Sequence, residues 1–377
     1  MQSTCSIEDV RSILEHQLQL LWERPAEARA IAPLMLWGPP GVGKSTVVRE
    51  VCAAKGIGFV DVRLAQREPI DLRGLPVPNK DGNGVDWLVS SEWPRDPASR
   101  GVILFDELTA ADRTLQVAAY ELILDRRLGT LYEVPPGWFL MGAGNRAGDR
   151  AVAGTMSSAL ANRFCHLEIA PDLADWMVWA RARGVHPHVL GLLQFTPSLF
   201  LQLEDVELQR GWPSPRSWER VGIVLDSEQR LGDRGLRRMV EGLVGPGAAR
   251  ALFSFRDAAK ELPDVPGMLE GSDAFQVPRR SDLKCALCAS VAFHMWRVTR
   301  RAHALQRLFS ILDALEDDFA TLLLHDVMRG RSENEVRSVL THPGYQRLQG
   351  RLGAKLRGKL TREADAVVTR VLEGLLP

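Results

Sequence analysis

The sequence predicts an α/β protein, a parallel sheet sandwiched by helices, followed by an all-helical remainder. Three observations carry this. The stretch Gly38-Pro39-Pro40-Gly41-Val42-Gly43-Lys44-Ser45-Thr46 fits G-x-x-x-x-G-K-[ST] and lies between a strand-like and a helical run. Gly101-Val102-Ile103-Leu104-Phe105-Asp106-Glu107 is an apolar run that ends in two carboxylates, as a buried parallel strand does when it opens on a ligand crevice. Beyond Asp172 the apolar residues recur at helical rather than alternating spacing.

In chain order, Ser6-Ile7-Glu8-Asp9 reads as an N-cap with acidic residues in the first turn. It opens a helix with Ile7, Val10, Leu14, Leu18 and Leu21 on one face. Ala32 to Trp37 is the first expected strand, and Thr46 to Val51 carries the helix that leaves the glycine loop. Glycines let backbone N–H groups surround a phosphate, and the helix dipole adds favourable potential for the anion. Lys44 is placed to reach the β- and γ-phosphates, and the Ser45 hydroxyl to ligate Mg²⁺. Gly56 to Val62 reads as a turn and a second strand, which completes a βαβ unit.

Residues 64–100 interrupt the alternation. Asp81-Gly82 and Asn83-Gly84 between apolar runs are hairpin signals, so a projecting β-hairpin is expected here, with Trp87 and Trp93 on an exposed loop. Such a loop is either passive or an interaction surface. The run ending at Asp106 and Glu107 follows. Asp106 fits the Mg²⁺ shell, and Glu107 fits the role of orienting and deprotonating a water. A helix with Leu115, Ala118, Ala119, Leu122 and Leu124 inward comes next, then a turn and short strand over Arg126 to Val134. Phe139 to Asn145 is a core strand that delivers an amide at its end, either to hold a water or simply to terminate the strand. Arg163 precedes a last strand over Cys165 to Ile169, where it can face a neighbouring subunit.

Composition narrows the function classes. The 377 residues leave room for two or three domains, and 47 basic residues balance 47 acidic ones. That balance gives no electrostatic argument for a nucleic-acid or membrane partner. No apolar run approaches the roughly 20 residues of a membrane helix. The first residues lack a signal peptide, and five scattered cysteines do not suggest a disulfide framework, so a cytoplasmic location is expected. Cys285 and Cys288 form a C-x-x-C with apolar neighbours and no second ligand pair, which reads as buried thiols ahead of a zinc site.

In the helical remainder, Trp176, Trp179, Leu190, Leu193 and Phe200 are expected core residues. Ser214 or Ser217 is expected to cap a helix between Pro213 and Pro215. Gly245-Pro246-Gly247 should break one helix from the next, and 283–298 should pack on 302–324. Arg297, Arg300, Arg301 and Arg307 form a basic cluster, read as a solvated helix face ahead of a nucleic-acid contact.

The series GPPGVGKST, VILFDEL, MGAGN and LANRF, in this order, resembles the AAA+ ATPases, and among them the MoxR family. PIDLRGLPV and SPRSW at 214–218 reinforce the match, which covers roughly residues 30–230. The resemblance implies a nucleotide-binding AAA+ domain over 31–171 with a hairpin insert near 71–90. An N-terminal helix over 1–30 would pack on it, with a helical lid over 172–245 and a C-terminal helical extension over 246–377. It implies ATP and Mg²⁺ as the bound groups. Gly38, Pro39, Pro40, Gly41, Val42, Gly43, Lys44, Ser45 and Thr46 would form the nucleotide loop, with Ser45 and Asp106 at the metal. Lys44, Glu107, Asn145 as first sensor, Arg163 as arginine finger and Arg216 as second sensor would act in catalysis. Arg146 and Arg150 rival Arg163 for the contact in trans, because Met141, Asn145 and Asp149-Arg150 also resemble GTP-cleaving restriction motors. The family implies a hexameric ring that remodels or chaperones a protein partner, one with a von Willebrand factor A domain. A nucleic-acid motor or loader and a slow nucleotide-dependent assembly switch are the alternatives.

Overall fold

Short apolar runs bounded by glycine or by polar residues form the strands. The structure, a computed structural model, describes residues 4–146, 156, 161–202, 210–271, 276–362 and 366–373. It divides into two units, Met1–Asp172 and Leu173–Pro377.

The first unit is built on a six-stranded sheet in the order β1-β10-β2-β9-β6-β3, with every neighbouring pair parallel. These strands are β1 (Thr4–Cys5), β2 (Leu34–Trp37), β3 (Gly58–Arg63), β6 (Gly101–Asp106), β9 (Trp138–Gly144) and β10 (Cys165–Ile169). The inner strands β2, β6 and β9 are apolar except for Asp106 at the end of β6, because helices cover both faces of a parallel sheet. The edge strand β1 has no counterpart in the sequence reading: two residues are too few to show a period.

Helix α1 (Ile7–Glu23) starts at a reciprocal cap. Ser6 Oγ accepts the Asp9 N–H at 3.2 Å, and Asp9 accepts the Ser6 N–H at 2.8 Å. Its Val10, Leu14, Leu18 and Leu21 are fully buried in one core with Leu34, Leu36, Val48 and Val51, the last two from α2 (Lys44–Lys55). Each such side chain contributes about 1.5–3 kcal/mol relative to exposure. On the other face, α4 (Arg113–Asp125) is capped by Asp112, which accepts the N–H groups of Thr114 and Leu115. A two-plus-two residue hairpin follows, β7 (Arg127–Leu128) with β8 (Tyr132–Glu133).

The projecting hairpin is present as β4 (Leu75–Pro78) paired antiparallel with β5 (Val85–Leu88), entered through the short helix α3 (Pro69–Arg73). Its end is organised by Asn79, whose side-chain oxygen accepts the N–H groups of Asn83 and Gly84 at 3.1 and 3.2 Å. One expectation is corrected. Trp87 is 46% exposed, but Trp93 is only 1% exposed, with its ring 6.4 Å from that of Phe105 and 6.3 Å from that of Tyr132. The chain has already returned to the sheet at Trp93, and Tyr132 fixes it there by donating its hydroxyl to Pro94 O at 2.8 Å.

The second unit is all-helical: α5 (Leu173–Arg183), α6 (Pro187–Phe195), α7 (Pro215–Asp226), α8 (Asp233–Ala259), α9 (Val265–Glu270), α10 (Ser281–His294), α11 (Arg301–Ala314), α12 (Asp317–Met328), α13 (Glu333–Leu340), α14 (Pro343–Arg362) and α15 (Ala366–Glu373). Two cores hold it, one around Leu193, Trp218 and Leu252, the other around Leu287, Leu308 and Leu323. Leu190, Leu193 and Phe200 are buried as the sequence suggests, whereas Trp176 and Trp179 are only half-buried. Ser214 and Ser217 share the cap of α7: each side chain accepts the other's backbone N–H. The break at Gly245-Pro246-Gly247 is a kink inside α8, where Gly245 takes φ 78° and ψ 164°. The stretch 302–324 is two helices, parted between Ala314 and Asp317. Cys285 and Cys288 are buried on α10, and burial pushes the Cys285 thiol up to about 11 and that of Cys288 well above its usual range. No helix among the described residues is long and apolar enough to cross a membrane.

Candidate nucleotide site

The register of the sheet brings the polar ends of β2, β6 and β9 to one edge. Trp37 lies level with Gly144, and Phe105 with Gly142, so Gly38, Asp106 and Asn145 emerge side by side. This is the crevice at strand carboxyl ends where open α/β sheets bind ligands. The loop from Gly38 to Gly43 turns with Gly41 at φ 84° and Gly43 at φ 106°, conformations that an L side chain would strain. Gly43 then caps α2, whose first residue is Lys44.

Lys44 is buried, and its ammonium donates to Gly38 O at 2.6 Å, Pro39 O at 3.1 Å and Asn145 Oδ1 at 3.0 Å. The adjacent Ser45 donates its hydroxyl to Asp106 Oδ2. Three strand ends and a helix start are therefore tied into one hydrogen-bonded set. A hydroxyl and a carboxylate that meet beside a phosphate loop suit Mg²⁺, a hard cation that takes few protein oxygens and keeps water and phosphate oxygens as its other ligands. Ser45 Oγ and Asp106 Oδ2 are the atoms that would hold it.

Glu107 is half-buried just past β6 and has φ 56°, the left-handed region. For a non-glycine residue that conformation costs on the order of 1–3 kcal/mol and persists where surrounding bonds enforce it. Here the Glu107 N–H donates to Asp106 Oδ1 at 2.9 Å, and the Glu107 carbonyl accepts from Ala110 at 2.9 Å. The left-handed turn takes the chain off the extended path of β6 at Glu107, while Asp106 stays bonded to Ser45.

Sequence reasoning missed two residues of this site. Thr109 is buried and accepts the Asn145 N–H at 3.3 Å, while the Leu108 N–H donates to Ala143 O at 2.9 Å. Gly142 and Gly144 make that approach possible: a Cβ on Gly144 would lie 2.7 Å from Thr109 Oγ1, and one on Gly142 would lie 3.0 Å from Leu108. The Gly-x-Gly before Asn145 was the available signal. Asp61 on β3 is the second: burial, with the charge of Asp106 next, raises its carboxyl, against the pull of Arg63 and Arg49.

Arg163, Arg146, Arg150 and Arg216 are the other residues expected from the sequence. Arg163 is exposed in the turn before β10. Arg146 lies 3.0 Å from Glu168 and donates to Ile169 O at 3.3 Å. Arg150 lies outside the described residues. Arg216 is exposed in the first turn of α7, in the helical unit. In the basic cluster, Arg297 lies 3.7 Å from the centre of the Phe293 ring and Arg301 lies 4.0 Å from Glu335, whereas Arg307 is half-buried.

Residues 33–164 match the family model of the AAA domain, dynein-related subfamily. That span contains the loop, Asp106, Glu107, Asn145 and Arg163, and an AAA domain implies ATP binding, typically with Mg²⁺, and ATPase activity. None of the curated proteins matches the sequence. Among solved structures, the Thermotoga maritima RuvB Holliday junction branch migration motor is similar at 16% identity over 81% of this chain and 90% of its own, with a TM-score of 0.36. NtrX from Brucella abortus, solved in complex with ADP, is similar at 17% identity over 90% of this chain and 68% of its own, with a TM-score of 0.33. The parallel six-stranded sheet, with the phosphate loop after β2 and the two carboxylates after β6, lies within the unit that contains the matched AAA domain.

Proposed function

We propose that this chain is a MoxR-like AAA+ ATPase that hydrolyses ATP in an oligomeric, hexameric ring and uses the energy to remodel a protein partner, one carrying a von Willebrand factor A domain. The observation that carries the hydrolytic part is the convergence of Lys44, Ser45, Asp106 and Asn145 in one bonded set at the strand ends. Lys44 would exchange its loop carbonyls for β- and γ-phosphate oxygens, and Asn145 would turn from the ammonium toward the attacking water. Glu107, half-exposed in the turn after Asp106, would take the proton of that water. Ser45 and Asp106 would hold Mg²⁺, which would supply neutralisation of the phosphate charge. The exposure of Arg163 supports its role as the finger that serves the next protomer, a contribution worth ~10³–10⁵ in rate where an arginine acts in trans. The ring and the partner rest on the family resemblance.

The test is Glu107→Gln. It should bind ATP with wild-type affinity by titration calorimetry while phosphate release falls by about 10²–10⁴-fold. Wild-type turnover by that variant would overturn the assignment. Capture with the same variant, held in its ATP state, would identify the partner, and DNA-stimulated turnover would favour the nucleic-acid motor instead.

A further inference from the structure

The strand that leads into the phosphate loop is fastened to the turn that carries Arg163 through one imidazole. Met35 pairs with His166 and Trp37 with Glu168, so Trp37 and His166 stand diagonally on one face of the sheet. The Trp37 indole N–H donates to His166 Nδ1 at 2.8 Å, and His166 Nε2 lies 2.7 Å from Ala161 O. An indole nitrogen can only donate and a carbonyl can only accept, so both bonds require the neutral ring with its proton on Nε2. The rings are also stacked, with centroids 5.9 Å apart at 23°. The Ala161 carbonyl accepts a second bond, from the Phe164 N–H at 3.2 Å, which closes the turn Ala161-Asn162-Arg163-Phe164. Phe164 is buried with its ring 6.2 Å from the imidazole, and the Cys165 N–H donates to Pro33 O at 2.9 Å at the other end of β2. Arg163 is therefore the exposed third residue of a turn pinned from below, and Gly38 directly follows the residue that does the pinning.

We propose that His166 is a positioning residue for hydrolysis: it holds the Arg163 turn in register with the phosphate loop of its own subunit, and so sets where the guanidinium stands for the neighbouring one. This rests on the reading of Arg163 as a finger in trans. Misplacement of a charge-stabilising group by about 1 Å costs up to ~10²-fold in rate. The imidazole bonds to Trp37 and Ala161 and not to the residues of the phosphate loop, so its loss lowers turnover and leaves nucleotide affinity alone.

The experiment compares steady-state ATP hydrolysis and ATP affinity of the full-length assembled protein in wild type, His166→Ala, His166→Gln, Trp37→Phe, Arg163→Ala and the double variant Arg163→Ala/His166→Ala. His166→Ala is expected to lose about 10–100-fold in kcat with the ATP dissociation constant unchanged. His166→Gln, whose amide can donate to the same carbonyl, restores most of the loss. Trp37→Phe, which keeps the ring and removes the donor, gives a smaller drop in the same direction. The double variant turns over no slower than Arg163→Ala alone, since the two residues act through one group. Losses that multiply in the double variant overturn the proposal. So does wild-type kcat in both His166→Ala and Trp37→Phe, or a weaker ATP affinity with kcat preserved. If His166→Ala fails to fold, Trp37→Phe and His166→Gln decide on the same terms. Wild-type turnover by Arg163→Ala is a different failure: it removes the trans finger itself, and with it the role assigned here to His166.

Discussion

The polar residues at the strand ends of the first unit and those at the centre of the second are built on opposite terms. Asp106, Glu107 and Asn145 are half-buried, and the side chains of Asp106 and Asn145 bond to groups that can exchange partners, a serine and a lysine. In the helical unit, Asp326 and Arg181 are 4% and 5% exposed and meet at 2.6 Å; Gln194 also donates to Asp326, and His325 lies 3.5 Å away. Burial alone would raise the Asp326 carboxyl, but Arg181, His325 and Gln194 together hold it below the usual range. The deeper and more heavily charged cluster is thus the one closed to any ligand. Partner exchange at a half-open edge marks chemistry here better than burial or charge does.

The comparison breaks first at Asp326. If the cluster is structural, Asp326→Asn leaves the Arg181 guanidinium buried without its counter-charge and should cost about 3–5 kcal/mol in denaturant unfolding. Replacing both partners at once, Arg181→Met with Asp326→Leu, should recover most of that loss, because a buried pair barely repays its desolvation. A double variant as unstable as the single one would show that the charges do more than fill their site.

A second, smaller effect separates the units by pH. His186 and His188 lie with ring centroids 4.7 Å apart beside Arg256. Burial, then the neighbouring His188 and Arg256, lowers His186 to about 3; burial, then Arg256 and against Glu228, lowers His188 to about 4. Both folded values lie under the ordinary 6.5, so below that pH the unfolded chain binds more protons than the folded one. Their stability is whole above pH 6.5 and drains away as pH falls toward 4 and then 3. Unfolding measured at pH 6.5 and pH 5 should differ by ~1–2 kcal/mol per histidine. His186→Asn keeps an acceptor at the cap of α6 and should shallow the slope. An unchanged slope would mean that His186 is not held neutral.

What was legible in the sequence follows the same division. The loop at 38–46, the carboxylates after β6 and the amide after β9 were readable because each chemistry needs a fixed residue type next to a short apolar run. Thr109 was not, since its role comes from two glycines that let β9 approach the segment after Glu107. Nor was β1, whose two residues owe their strand to β10. Trp87 and Trp93 are six positions apart in one insert, and composition gave them the same fate. Only the return of the chain to Phe105 and Tyr132 separates them. In the helical unit, periodicity located helices, but Arg181 and Asp326 are far apart in sequence and no spacing pairs them.

The smallest expected effect tests the exposed side of that insert. Leu75, Val85, Trp87 and Leu88 are each 46–58% exposed on β4 and β5. A two-stranded hairpin by itself is at best marginally stable in water. Its order therefore depends on the bonds of Asn79 and on the burial of Leu72 in α3, not on Trp87. Trp87→Ala should shift unfolding by no more than ~0.5 kcal/mol and leave ATP turnover intact, as a surface substitution away from core and caps does. A loss above ~2 kcal/mol would put Trp87 under cover in the working assembly, because only a buried aromatic costs that much to truncate.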